Sequence, residues 1–331
     1  MGSGILQDAV DVVPLLSVAI TAYKAEHTLP QAIDSVLAQR ITFPIEIIVS
    51  DDCSPDGVRE VVRAYQQKSP QKIRLLERDR NVGMQRNYYE TFAMCRGEYI
   101  AWLDGDDYWT DPDKLTRQVN ALEADPSISL CGHYVRWVVR GGTASRQRYP
   151  ECPAGRYGIE DILRKNFLPS PSIVFRNGIQ HDLPPWYFDI APLADWPVNV
   201  LAALSGDILM LDGVMADYTL NPGSACWGKG ERYWYERDAA FYELLEPLLP
   251  SHRVLIRGEK VKRYEAVSYV LRKQGDLSAS RKAAVKAFFA STRSGNVMRG
   301  TRFMLGSFVR EIAKRVRSAD SLSAGEASAG D

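Results

Sequence analysis

Three carboxylates stand within four positions, Asp104, Asp106 and Asp107, where an apolar, strand-like run ends. Like charges this close repel unless something cationic neutralises them. A hard divalent ion such as Mg²⁺ or Mn²⁺ prefers carboxylate and phosphate oxygens, so the cluster suits an ion shared with a diphosphate. The plainer alternative is an acidic turn that caps the next helix. A second strand ends in Ser50-Asp51-Asp52, and a carboxylate there can accept from the imide N–H of a pyrimidine or from a sugar hydroxyl. Between these points lies Asn81-Val-Gly-Met-Gln-Arg-Asn87, which brings Arg86 to a helix entry. Arginine at a helix N-terminus suits a diphosphate through its charge and the fork of its donors. The first strand ends in Thr21-Ala-Tyr23. All four points fall at carboxyl ends of strands or at helix entries, where α/β sheets bind ligands. Neither G-x-x-x-x-G-K-[ST] nor G-x-G-x-x-G occurs, which argues against P-loop NTPases and classical dinucleotide folds.

The elements that must position these groups alternate. Residues 15–20 read as a buried strand, and 28–39 as a helix with Leu29, Ile33, Val36 and Leu37 on one side. Residues 45–49 form a second strand, and Asp56 caps a helix whose Val58, Val61, Val62 and Tyr65 recur at helical spacing. A strand at 72–77, a helix at 84–95 and a strand at 99–103 follow. Asp111-Pro112 opens a helix carrying Leu115, Val119 and Leu122. Repeated βα units predict a mostly parallel sheet flanked by helices. After Arg140 the pattern loosens: Gly141-Gly142 and 150–158 read as loops or a hairpin, 172–175 and 208–211 as strands, and 196–204 as a helix.

Composition bounds the function. The chain has 331 residues, 45% hydrophobic and 25% charged, as expected for one large α/β domain with an appendage or for two domains. Lys+Arg and Asp+Glu balance at 41 each, so no nucleic-acid partner is indicated. Five dispersed cysteines without C-x-x-C spacing and four scattered histidines suggest reduced thiols in a cytosolic protein, with neither a disulfide framework nor a zinc site. No apolar stretch reaches the ~20 residues of a spanning helix, and the N-terminus is no signal peptide. The expected organisation is a disordered or appended start at 1–13, a nucleotide-binding half at 14–140 and an acceptor half at 141–230. A helical region at 231–317 and a disordered Ser/Ala/Gly-rich tail at 318–331 complete it. Within 301–317, Leu305, Phe308, Val309, Ile312 and Val316 share one helical face, with Arg310, Lys314, Arg315 and Arg317 elsewhere. Such a helix either lies on an anionic membrane surface or packs on the domain.

Several motifs occur in order: Val18-Ala-Ile-Thr-Ala-Tyr-Lys24, Glu46-Ile-Ile-Val-Ser-Asp-Asp-Cys-Ser54, Asn81-Val-Gly83 with Arg86-Asn87, Gly97-Glu-Tyr-Ile-Ala-Trp-Leu-Asp-Gly-Asp-Asp107, and Asp113-Lys-Leu115. Together they resemble the family 2 glycosyltransferases of GT-A fold, densely over 14–140 and more loosely to about 228. The resemblance implies a Rossmann-like α/β domain and inverting transfer from a nucleotide-diphosphate sugar with Mn²⁺ or Mg²⁺. By that analogy Thr21, Tyr23 and Asp52 hold the base and ribose, and Arg86 lies near the base or diphosphate. Asp104 and Asp106 serve ribose and metal, with Asp107 a further metal ligand. Asp52 could instead form an Asx-turn with Ser54.

Inversion needs a general base for the acceptor hydroxyl. The family supplies it from an acidic residue ahead of an aromatic at a helix start, which Ala194-Asp195-Trp196-Pro197 matches. Asp195 is then the base and Trp196 a platform for a sugar. The common pattern has two acidic residues, and here the first is Ala194. Asp195 can equally be the helix N-cap. Asn221 stands where many relatives place a histidine near the metal, or it forms an ordinary Asn-Pro turn, and Trp227 is a lid or core residue. The acceptor class implied is a carbohydrate or lipid-linked carbohydrate in bacterial surface polysaccharide assembly. The setting is cytoplasmic, with peripheral contact at the inner membrane face through the basic C-terminal helix. Rival readings are a nucleotidyltransferase, which would show a Gly-rich basic loop after strand one, and a non-catalytic nucleotide-sugar-binding protein.

Overall fold

Strands buried on both faces carry near-continuous apolar runs because helices cover the two sides of a parallel sheet. In the computed structural model, β1 (Leu16–Ala22) is buried at every position and β4 (Tyr99–Asp104) at every position except Asp104. They lie side by side in parallel, with β2 (Ile45–Asp51) and β3 (Ile73–Leu76) continuing outward from β1. The structure describes residues 13–139, 144–222, 224 and 226–293. Residues 1–12, the Gly141-Gly142 loop, the basic stretch 301–317 and the 318–331 tail lie outside that description.

The helices between these strands follow their apolar spacing. α1 (Leu29–Leu37) buries Leu29, Ala32, Ile33 and Val36. α2 (Val58–Lys68) buries Val58 and Val62, and α3 (Met84–Ala93) buries Tyr88 and Phe92. Asp56 does not cap α2. The cap position belongs to Gly57, and the Asp56 carboxylate instead accepts the Glu26 N–H at 3.1 Å. β5 (Tyr108–Trp109) follows the acidic turn, and α4 (Lys114–Ala124) starts two residues after Pro112 with Leu115, Val119 and Leu122 buried.

Beyond β4 the sheet becomes mixed. β6 (Ile128–Val139), β7 (Ala144–Tyr149), β8 (Gly155–Tyr157), α5 (Ile159–Arg164), β9 (Val174–Arg176), α6 (Asp195–Ser205) and β10 (Asp207–Leu220) follow in the chain. The spatial order is β3-β2-β1-β4-β9-β6-β10-β5, with β9 antiparallel to both β4 and β6. β10 runs parallel to β6 and antiparallel to β5, pairing Ala216 with Trp109 and Asp217 with Tyr108. That pairing draws the end of β10 past the acidic turn. A second compact unit starts at Gly228. Its helices α7 (Glu231–Leu245), α8 (Arg253–Lys273) and α9 (Leu277–Arg293) pack around Ala239, Tyr264 and Ala287, and around Val267, Leu271 and Ala283. No helix among the described residues is long and apolar enough to cross a membrane.

The entry into β4 is held by a buried polar knot. Glu46 accepts from Ser17 Oγ at 2.7 Å and from the Arg96 N–H at 2.7 Å, and the Gly97 N–H donates to Ser17 Oγ at 2.9 Å. A Cβ on Gly97 would lie 2.6 Å from the Ser17 nitrogen and 2.8 Å from the Leu16 carbonyl carbon, both backbone atoms of β1. Gly97→Ala therefore forces β1 and β4 apart and should lower stability by about 1–3 kcal/mol, the usual range for overpacking. Urea unfolding reads this, and an unchanged midpoint would show that the strands give way without cost.

Candidate functional site

The acidic turn is built around Asp104, which pairs in register with Thr21 of β1. Its Oδ1 accepts from Thr21 Oγ1 at 3.0 Å, Tyr88 Oη at 2.8 Å and Trp102 Nε1 at 3.4 Å. Its Oδ2 accepts from Ser170 Oγ at 2.7 Å. These donors come from β1, α3, β4 and the turn before β9, so one carboxylate fastens four stretches of chain. Gly105 follows, its N–H donating to the Thr21 carbonyl at 2.8 Å, and a Cβ there would sit 3.1 Å from that oxygen.

Asp107 turns inward. It is 2% exposed, and its Oδ1 accepts the Thr219 N–H of β10 at 2.6 Å. Burial pushes its carboxyl well above the ordinary aspartate range, and the charges of Asp106 and Asp104 push the same way. Asp106 keeps partial exposure, and the Asn221 side-chain amide reaches its Oδ2 at 3.4 Å. An amide and a carboxylate are both hard oxygen ligands, since the Asn221 carboxamide can present either end. Among the described residues no three His, Cys, Asp or Glu side chains are grouped to hold a metal ion by themselves. The donor set at Asp106, Asp107 and Asn221 therefore fits an ion shared with a ligand's phosphates, the common arrangement for Mg²⁺.

The end of β2 is equally defined. Asp52 is 3% exposed, and its two oxygens accept the N–H groups of Val82 and Gly83 at 2.7 and 3.0 Å. The Asn81 amide donates to the Asp52 carbonyl at 3.0 Å. Asp52 thus clamps the loop that enters α3. The expected Asx-turn of Asp52 is not formed; instead Asp51 Oδ1 accepts the Ser54 N–H, three residues on, at 2.9 Å, and its Oδ2 pairs with Arg59 at 2.8 Å. Arg86 occupies the first turn of α3, half-exposed, 4.5 Å from the Phe188 ring centroid and 3.5 Å from Glu90. Tyr23 is exposed at the end of β1, with Lys24 Nζ 5.1 Å from its ring centroid.

Further along the chain, Asp195 is the first residue of α6 and Ala194 holds the cap position, so Asp195 is not the N-cap. Its Oδ1 accepts the Trp196 N–H at 2.8 Å. Burial raises the Asp195 carboxyl to about 6; the Trp196 N–H and the Asn166 side chain oppose that rise, and the Asp104 charge adds to it. Asp195 therefore lies near enough to the acidic turn to feel the Asp104 charge. Trp196 cannot serve as a platform where it stands, being 3% exposed with its indole N–H bound to the Ile162 carbonyl at 2.8 Å. Trp227 is 45% exposed and is not a core residue.

Tyr88, Ser170, Asn166 and Tyr187, which motif spacing did not single out, complete the site with Tyr218, which opens the 218–224 segment that carries Asn221. Tyr187 is fully buried, its hydroxyl has no hydrogen-bond partner among the described residues, and it faces the charges of Asp195 and Asp104. Tyr218 feels Asp107, Asp104 and Asp195. Of the four that the motifs passed over, Tyr88 left a trace in the sequence, as an aromatic on the apolar face of α3.

A sequence profile described as glycosyl transferase family 2 matches residues 17–178. The uncharacterized protein Rv1520 of Mycobacterium tuberculosis is 30% identical over 266 residues, 78% of this chain and 75% of that protein. Succinoglycan biosynthesis protein ExoO of Rhizobium meliloti is 35% identical over 116 residues, 35% of this chain and 32% of its own length. Among solved structures, S. aureus TarS 1-349 aligns with a TM-score of 0.60 at 18% identity, over 89% of this chain and 91% of that one. The same protein solved with UDP-GlcNAc aligns with a TM-score of 0.57 at 16% identity, over 89% of this chain and 92% of that one. At such identities the structural likeness speaks for the fold.

The raised Asp107 carboxyl makes a pH-dependent prediction. A carboxyl whose folded pKa lies above its unfolded value weakens the fold as pH climbs through that window. Asp107→Asn keeps an oxygen for the Thr219 N–H and removes the titrating proton. Its thermal midpoint should exceed that of the unaltered protein more at pH 8 than at pH 5. Equal shifts at the two pH values, or a loss at both, would mean that Asp107 carries no such burden.

Proposed function

The chain belongs to glycosyl transferase family 2, with the GT-A fold, and on that premise we propose that it moves a sugar from a nucleoside-diphosphate sugar to an acceptor hydroxyl with inversion. The observation that carries the reading is Asp195, a half-buried carboxylate at the start of α6 that feels the charge of Asp104 in the acidic turn. In the reaction the acceptor oxygen attacks the anomeric carbon and gives its proton to Asp195. The bond from that carbon to the diphosphate oxygen breaks, and the nucleoside diphosphate leaves with the electron pair. Attack opposite the leaving group inverts the anomeric centre. A carboxylate that titrates near 6 is ionised at neutral pH yet basic enough to take a proton as the bond forms.

The ends of β1 and β2 form the nucleoside side, with Asp52 shaping the loop that presents Asn81 and Arg86 and with Tyr23 open to stack on a base. Asp106, with Asp107 and Asn221, would hold Mn²⁺ or Mg²⁺ together with the diphosphate. When bound, the ion supplies positive charge against the leaving group. We assign Asp104 to fastening the cleft and not to the metal, because protein donors already engage both its oxygens. Succinoglycan assembly by ExoO and the UDP-GlcNAc complex of TarS support surface-polysaccharide synthesis from a sugar nucleotide as the setting.

Three outcomes test this. Transfer rate should climb with pH through about 6 and level off above it, because the base acts unprotonated; a flat profile from pH 5 to 8 contradicts the assignment. Asp195→Asn should reduce transfer by about 10²–10⁴-fold, the range for general base catalysis, and leave donor affinity intact. Near-normal turnover would remove Asp195 from the chemistry. Asp106→Asn should abolish the Mn²⁺-dependent part of nucleoside-diphosphate binding in calorimetry while the fold persists. Unchanged metal dependence would place the ion elsewhere.

A further inference from the structure

The last helix, α9, packs inward with its smallest side chains. Ala283, Ala284, Ala287 and Ala290 are buried, while Val285 is exposed and Phe289 is 59% exposed. A helix that needed only a core would turn Val and Phe inward, where their burial contributes most, and leave alanine outside. Lys282 and Lys286 share the outward side, since 282, 285, 286 and 289 fall at helical spacing and are all exposed. Among the described residues no carboxylate pairs with either lysine, and Lys286 Nζ lies 5.4 Å from the Tyr264 ring centroid.

This face borders a cavity of about 220 Å³, with Val285 and Phe289 on its apolar side. Arg257, Lys260 and Lys286 line it with Glu243 and Glu246, so cations lead carboxylates by three to two. Arg257 and Lys260 share Glu246 at 2.7 and 2.6 Å, and Glu243 takes the Tyr264 hydroxyl. Charge is divided along the chain as well. Residues 1–227 hold 21 Lys and Arg against 29 Asp and Glu, whereas 228–331 hold 20 against 12. Within 228–293 the count is 14 against 8, so the helical unit is cationic although the whole chain is balanced.

We propose that the outward face of α9, with the cavity beside it, is an interfacial docking site for a bilayer of anionic phospholipid. Phe289 and Val285 enter the boundary between headgroups and acyl chains, and Lys282 and Lys286 meet the phosphates around them. The cavity offers a headgroup phosphate the charges of Arg257, Lys260 and Lys286. A second copy meeting this face about a twofold axis would set its lysines against the same lysines, which anionic lipid does not. The contact is interfacial, because no helix among the described residues is long and apolar enough to cross a membrane. Docking of this kind is independent of the transfer reaction, and it would hold the chain where a lipid-linked acceptor lies.

Co-sedimentation of the full chain with vesicles tests the site without turnover. Binding to vesicles containing phosphatidylglycerol should exceed binding to pure phosphatidylcholine by at least about tenfold and fall as salt is raised. Lys286→Gln should weaken the anionic binding about fivefold, and Phe289→Ser about tenfold. Both side chains are exposed, so the thermal midpoints of the two variants should hold. Lys72→Gln, an exposed change in the other unit, should leave binding unaltered. Equal sedimentation with both vesicle types, or an equal loss in Lys72→Gln, overturns the site. Unaltered anionic binding in Lys286→Gln and Phe289→Ser also overturns it, and assigns the contact to another part of the chain. A dimer that Phe289→Ser abolishes, with no vesicle binding, would give the face to a second copy instead.

Discussion

The cleft depends on the hydrogen bonding of Asp104. A carboxylate at the end of a central strand loses hydration and must recover it from protein donors. Here Thr21, Tyr88, Trp102 and Ser170 provide them, from separate parts of the chain. Their convergence fixes where β4 stops, how α3 leans on the sheet and where the strap before β9 runs. Gly105, Asp106 and Asp107 are aimed by that junction.

The next carboxylates have the opposite character. Asp107 is buried with few donors and three like charges nearby, those of Asp106, Asp104 and Asp217, and Asp106 keeps partial exposure with Asn221 beside it. One part of the acidic turn is satisfied by protein, while the other retains unbalanced negative charge. A divalent ion arriving with a diphosphate would balance it. Asp195 lies between these extremes, raised by burial and restrained first by the Trp196 N–H. Three acidic environments within one cleft allow three tasks without changing the residue type.

The parallel half of the sheet was legible because β1, β2 and β4 are short apolar runs ended by polar residues, and the carboxylates at their ends were found by that rule. β6 was missed, and β10 was read as four residues, because each carries polar groups such as His133, Arg136 and Asp217 that break the apolar pattern. Arg136 and Asp217 satisfy each other across the sheet at 2.8 Å, and His133 Nδ1 meets the neighbouring Tyr134 carbonyl at 2.8 Å. Local rules also misplaced two turns. The Ser54 N–H goes to Asp51 and not to Asp52, and Gly57, not Asp56, stands at the cap of α2. Trp196 was expected beside a sugar because it follows the base, yet the helical rotation of α6 turns it into the core. Ser170, Asn166 and Tyr187 left no periodic signal, since they sit in loops and meet their partners from far along the chain.

The most direct test of this division is Mn²⁺ binding to Asp104→Asn in the presence of the nucleoside diphosphate. If Asp104 fastens the cleft and Asp106 faces the metal, the variant loses thermal stability by about 1–3 kcal/mol, the range for disturbing buried hydrogen bonds. It should still take up Mn²⁺ with the diphosphate at an affinity within a few-fold of the unaltered protein. Loss of Mn²⁺ binding with an unchanged thermal midpoint would show that Asp104 is a metal ligand and would contradict the account.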